Sequence, residues 1–160
     1  MIFVTVGTTP YDFSRLIKEM DKIAGKIDDN VIMQIGKSVY EPKNAEFFRV
    51  TPREKIQEYY KNAKIIVSHA AAGSILMAYQ YNKSPILVPR MKEFEEHVDN
   101  HQLEGAEEWE KEGRTVIYDI KDLKNAINDL INDNSDLSFV KRDDTLIINL
   151  KKYLNETVNG

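Results

Sequence analysis

Ser68-His69-Ala70-Ala71-Ala72-Gly73-Ser74 stands between a β-branched run, Lys64 to Val67, and an apolar stretch with helical spacing, Ile75 to Tyr81. Small residues and hydroxyls make up the junction, so strand and helix approach closely there. A helix start also leaves backbone N–H groups without intrahelical partners, and small side chains let an anion reach them. Two explanations fit: an anion-binding turn, or a close helix-on-strand contact that tolerates only small side chains. Both demand a strand, a tight turn and a helix in that order, and that order decides the fold class.

The same order recurs on either side. Ile2 to Val6 reads as a buried strand closed by Gly7, and Asp12 to Ala24 as a helix with Phe13, Leu16, Ile17, Met20 and Ile23 on one face. Val31 to Ile35 is a second strand stopped by Gly36, and Phe47 to Val50 a third. Thr51 is placed to cap the next helix with Pro52 in its first turn. After the 64–81 unit come a strand over Pro85 to Val88, a helix over His97 to Glu112 ended by Gly113, a strand over Thr115 to Tyr118 and a helix over Lys121 to Ile131. The polar stretch Asn132 to Ser138 reads as a connector from a core of residues 1–131 to a peripheral helix at about 143–157. Short apolar runs alternating with amphipathic helices imply α/β architecture: a single Rossmann-like, doubly wound parallel sheet with helices on both faces. Ligands of such sheets sit beyond the carboxyl ends of the strands. Gly7-Thr8-Thr9, Thr51-Pro52-Arg53, His69 to Ser74 and Pro89 to His101 all follow strands, so one rim should carry them.

The 160 residues suit one domain and leave little room for a second. A net charge of −4 argues against broad nucleic-acid binding. With no cysteine, disulfides and thiolate metal sites are excluded. No apolar run has bilayer length. The start, Met1-Ile2-Phe3-Val4-Thr5-Val6-Gly7, lacks a basic leader and a cleavage site and reads as a first strand. These features suggest a cytoplasmic protein that another chain would have to hold at a membrane.

Glu96-His97-Val98-Asp99-Asn100-His101-Gln102 gathers carboxylates, imidazoles and amides just after a short strand. Side chains of this kind read sugar hydroxyls, and beside an anion-binding turn they suggest a nucleotide-sugar site. The alternative is a solvated helix start, since Glu93, Glu95 and Glu96 suit a positive helix end. A zinc site would need His97 and His101 on one helix face; the His-Glu-x-x-His pattern is absent and few ligands remain, so no metal is expected. Gly7-Thr8-Thr9 is either a phosphate contact or a tight turn with Thr9 or Asp12 capping the helix. Arg49, Arg53 and Lys55 could meet a phosphate or stay solvated, and Arg90 is the better candidate for charge. Tyr59, Tyr60, Tyr79 and Tyr81 suit a core edge or an interface.

At these residues the chain resembles the C-terminal, donor-binding half of family-28 glycosyltransferases of GT-B fold. The resemblance extends to the small catalytic subunits of two-component enzymes such as the dolichyl-diphosphate N-acetylglucosamine transferase and its exopolysaccharide counterparts. The carrying segments are Val4-Thr5-Val6-Gly7-Thr8-Thr9, Ser68 to Leu76, Val88-Pro89-Arg90 and His97 to Glu104. The resemblance implies that His69, Gly73 and Ser74 meet the nucleotide diphosphate, with His69 a stabiliser of the leaving group, and that Val50, Thr51 and Arg53 bracket base and ribose. It implies that Glu96 and His97 match the pair that reads donor-sugar hydroxyls and Asn100 the asparagine three residues beyond; Gly7, Thr8, Thr9, Ala72 and Arg90 complete the expected donor-binding set. It further implies inverting, metal-independent and cofactor-free transfer from a UDP-sugar, with the acceptor, and usually the general base, on a membrane-anchored partner subunit. Relatives usually carry Gly at the position of Ala71, and many carry an acid at that of Met77, where it would hold ribose hydroxyls. Those departures keep open a non-catalytic, regulatory subunit with weakened donor binding. Apolar surface facing the absent half would favour self-association of the isolated chain.

Overall fold

The computed structural model describes residues 1–133. Its sheet has five parallel strands, β1 (Ile2–Thr5), β2 (Val31–Gln34), β3 (Glu46–Phe48), β4 (Ile65–His69) and β5 (Ile86–Val88), in the order β3-β2-β1-β4-β5. β1 lies at the centre, with Ile2 opposite Val31 on one side and Ile65 on the other. Its side chains alternate between faces, as the pleat requires. Ile2 and Val4 join one core with Phe13, Leu16, Ile17, Met20 and Ile23 of the first helical segment and Leu123 and Ile127 of the last. Phe3 joins the opposite core with Tyr60, Ala63, Ile66 and Ala78.

The helices follow: α1 (Ser14–Ala24), α2 (Arg53–Asn62), α3 (Ala72–Gln80), α4 (His101–Lys111) and α5 (Leu123–Asn132). α1 and α5 cover one face, and α2 and α3 the other, where Ala106 of α4 meets Ile75 and Leu87. The sheet is therefore doubly wound, as expected. Asp12, not Thr9, serves the start of α1: its Oδ1 accepts the Ser14 N–H at 3.2 Å and the Ser14 hydroxyl at 2.6 Å. α4 stops where Gly113 turns to φ +83°.

Three local expectations are corrected. α2 begins at Arg53 with Pro52 at its cap, and no side chain, Thr51 included, caps it. α4 begins at His101 and not at His97, because the chain reverses first through a 3-10 turn (Lys92–Phe94) and Glu95 at φ +57°. Thr115 to Tyr118 is only a bridge from Val116 to Leu87. Leu87 donates to Thr115 O at 2.9 Å and accepts from Ile117 N–H at 2.8 Å. The next rung would need an N–H at position 89, and proline has none. The expected helix at about 143–157 lies outside the described residues, as does its connector beyond residue 133. Among the described residues no helix is long and apolar enough to cross a membrane.

The loop between β2 and β3 is anchored by one buried acid. Asp21 accepts the Tyr40 hydroxyl at 2.6 Å and the N–H groups of Lys43 and Asn44 at 2.9 and 2.7 Å. Burial pushes its carboxyl up; the bonds from Tyr40, Asn44 and Lys43 outweigh that and hold it below its ordinary 3.8. The ionised form is thus favoured by folding, and its contribution is complete above 3.8 and lost as pH falls through the lower folded value. Asp21→Asn should lower stability to urea by about 2 kcal/mol at neutral pH, with the gap from the parent narrowing in acid below that point.

Candidate functional site

All strands run the same way, so the turns after β1, β2, β4 and β5 emerge on one edge. Glycine lets them touch there. Gly36 has φ +53°, and a Cβ on it would lie 2.7 Å from the Gly7 carbonyl oxygen. Gly7 has φ +72°, and a Cβ there would lie 2.7 Å from Cε1 of His69. The His69 imidazole thus packs against the backbone of the β1 turn, with Nδ1 3.4 Å from the Thr5 carbonyl. Burial, then the Arg90 charge, pulls this ring down to about 4, against the Thr5 carbonyl, so it is neutral at pH 7. This buried, neutral ring supports the Gly7 turn.

At the start of α3, Ala71 is extended and no side chain caps the helix; the Ser74 N–H turns back to the Ala71 carbonyl at 3.1 Å, which leaves the N–H groups of Ala72 and Gly73 as the open ones. Gly73 is exposed, with open space where a Cβ would stand. The Ser74 hydroxyl, expected at the diphosphate, bonds instead to the buried Tyr60 hydroxyl, which also meets Ser68 and is pushed up to about 12, chiefly by burial. Met77 packs beside that cluster with Phe3 and Tyr60. Thr8 is exposed, and Thr9 Oγ1 is buried without a partner in the chain.

Arg90 and Glu96 both turn inward from the rim. The Arg90 guanidinium is fully buried, 4.5 Å over the Phe13 ring. It donates to the carbonyls of Val6 at 2.8 Å, Tyr11 at 3.3 Å, and Asp12 and Glu96 at 3.2 Å. Desolvation lowers it to about 10, so it remains a cation. Nη1 and Nη2 tie rim loops together, while Nε is buried without a partner. The Glu96 carboxylate turns inward too, meeting Arg15 through two 2.8 Å bonds and the Met91 N–H at 3.1 Å. Asn100 closes its own loop by accepting the Lys92 N–H at 3.0 Å. His97 stays partly open at the rim, beside Tyr11, with ring centroids 5.6 Å apart. Val50, Thr51 and Arg53 follow β3, two strands from β1, roughly 10 Å away at about 4.8 Å per strand.

The rim therefore gathers Gly7 to Thr9, His69, Ala72 to Ser74, Arg90 and Glu96 to Asn100, with Val50 to Arg53 at its far edge. Sequence reasoning missed Arg15, the partner of Glu96, and Gln102, which is buried and accepts the Arg90 backbone N–H at 3.2 Å. Gln102 lies within the quoted polar motif; Arg15 carries no sequence signal, since 81 positions separate it from Glu96. Among the described residues no group of three or more His, Asp or Glu is placed to hold a metal ion.

A doubly wound α/β domain with an open helix start at its strand-end rim is of the Rossmann-like class. Its fold is shared with a solved structure, the glycotransferase of kitacinnamycin, at TM-score 0.64 and 17% identity over 86% of this chain and 36% of that one. Residues 1–151 match the glycosyltransferase family 28 C-terminal domain, and the chain belongs to that family. It is 32% identical over 100 residues to the UDP-N-acetylglucosamine transferase subunit ALG13 of Candida albicans, across 62% of this chain and 32% of that protein. It is 33% identical over 121 residues to human ALG13, across 70% of this chain and 10% of the human protein. The chain thus spans a third or less of these relatives.

Two outcomes test this geometry. Gly7→Ala should destabilise the protein by roughly 2 kcal/mol or more in thermal unfolding, because it adds left-handed strain to a collision with His69. The His69 value, about 4 when folded against 6.5 unfolded, means that the unfolded chain binds the extra proton below 6.5. Its contribution to stability is complete above 6.5 and declines by about 1.4 kcal/mol per unit as pH falls toward 4. Urea midpoints across that window should fall more steeply for the parent than for His69→Asn.

Proposed function

We propose that this chain binds a UDP-sugar at its strand-end rim and supplies the donor half of an inverting, metal-independent hexosyl transfer. The acceptor would be lipid-linked and held by a membrane-associated partner subunit, with this chain on the cytoplasmic side. The observation that carries the reading is the open, uncapped start of α3 at Gly73, which follows β4, the strand next to β1 and its Gly7 turn. Backbone N–H groups there favour negative charge and would stabilise a departing diphosphate without moving. Family membership and relatives described as UDP-N-acetylglucosamine transferase subunits support the same reading.

Within it, Gly7, Thr8, Thr9, Ala72 and Gly73 serve the diphosphate, and His69, Ser74, Arg90 and Glu96 shape the rim from beneath. Val50, Thr51 and Arg53 take the nucleoside. Since Met77 is apolar and packed inward, ribose hydroxyls fall to that loop. His97 and Asn100 face the sugar.

Isothermal titration with UDP should give a dissociation constant below about 1 mM, equivalent to about 4 kcal/mol of binding. Gly73→Asp should fold normally, since space is open and an acid suits a helix start, yet weaken UDP at least tenfold by repulsion. The absence of heat at millimolar UDP or UDP-sugar, even with a partner present, would favour the regulatory-subunit reading.

A further inference from the structure

One side chain of α1 holds the whole segment between β5 and α4. Arg15 Nη2 donates to the Pro89 carbonyl at 3.0 Å, where the segment leaves β5. Its guanidinium lies 4.7 Å from the centre of the Phe94 ring, at the tip. Nε and Nη2 each meet a Glu96 carboxylate oxygen at 2.8 Å, on the return. The second of those oxygens also accepts the Met91 N–H at 3.1 Å, so the carboxylate closes the turn from 91 to 96 on itself. The segment is held against its own preference. Glu95 sits at φ +57°, a conformation that a residue with a Cβ keeps only where its surroundings impose it.

The helix does not account for this arginine. A cation in the first turn opposes the helix dipole, and α1 has no acid in that turn to offset it. The pair with Glu96 is nearly dry, its side chains 16% and 4% exposed. A bidentate pair fixes direction as well as distance, and removing one partner strands a charge inside the protein. Without Arg15 the Glu96 carboxylate would have to turn outward to reach water, letting go of the Met91 N–H. His97 follows Glu96 directly, and Asn100 accepts the Lys92 N–H at 3.0 Å within the same segment, so both would shift with it. The other rim loops are anchored elsewhere, the Gly7 turn on His69 and Gly36, and α3 through Ile75 and Ala78.

We propose that Arg15 is a positioning residue for the sugar end of the donor. By fixing the segment through Glu96 it sets where His97 and Asn100 meet the carbohydrate, while diphosphate and nucleoside are held without it. This inference rests on the donor-site reading above and narrows it: recognition of the sugar can be lost while recognition of UDP is kept.

Isothermal titration of the purified full chain with UDP and with UDP-N-acetylglucosamine tests it. Arg15→Gln should bind UDP-N-acetylglucosamine at least tenfold more weakly than the parent, and UDP within threefold of it. A general loss of stability would weaken both ligands alike. Arg15→Gln combined with Glu96→Gln strands no charge and should return the nucleotide sugar to within threefold of the parent. Should Arg15→Gln fail to fold, Arg15→Lys keeps the charge without the planar fork, and should weaken the nucleotide sugar at least threefold with UDP unchanged. Among the rim segments, backbone amide NMR signals of the variant should move at 89–102 and stay at 72–74. Equal weakening of both ligands, weakening of neither, or a parent that binds UDP but no nucleotide sugar overturns the positioning role and leaves the UDP site standing. A parent chain that binds neither ligand overturns the donor site as well.

Discussion

One buried cation organises the rim. Arg90 donates to carbonyls of the β1 turn, of the residues before α1 and of the β5 loop, and its own side chain is fully buried. A buried guanidinium is costly unless its donors are met, so the loops must arrive together or not at all. Phe13 under the guanidinium and Gln102 on the Arg90 N–H extend the same knot into α1 and α4. The Arg15–Glu96 pair runs parallel to it and pins the loop to the first turn of α1.

Much of the fold was legible because strands buried on both faces read as short apolar runs, and each helix shows a stripe of fixed period. The order of turns and elements then placed the loops on one edge without knowledge of any side chain. What could not be read was local. Glu93 to Glu96 resemble the acidic first turn of a helix, yet Glu95 adopts a left-handed conformation and α4 waits until His101. A strand over Thr115 to Tyr118 has the right composition, but its partner strand ends in an imino acid.

The candidate site divides along the same line. That His69, Gly73, Arg90 and His97 follow strands was visible from topology. Which of them face outward was not, because orientation depends on partners distant in sequence. Glu96 looks like a sugar ligand until Arg15 is found beside it, and Ser74 looks like a phosphate ligand until Tyr60 takes its hydroxyl. Small residues, by contrast, announced their role directly, since Gly7 and Gly36 are where two backbones must meet.

The charges beneath the rim balance among themselves. Arg15 meets Glu96 directly, Arg90 is acted on by Glu96 and Asp12, and His69 is kept neutral. Two cations and two acids thus hold one another. Loss of Arg15 or Glu96 would leave its opposite number uncompensated inside the protein, so the outer side chains of the loops are free to vary in a way that this layer is not.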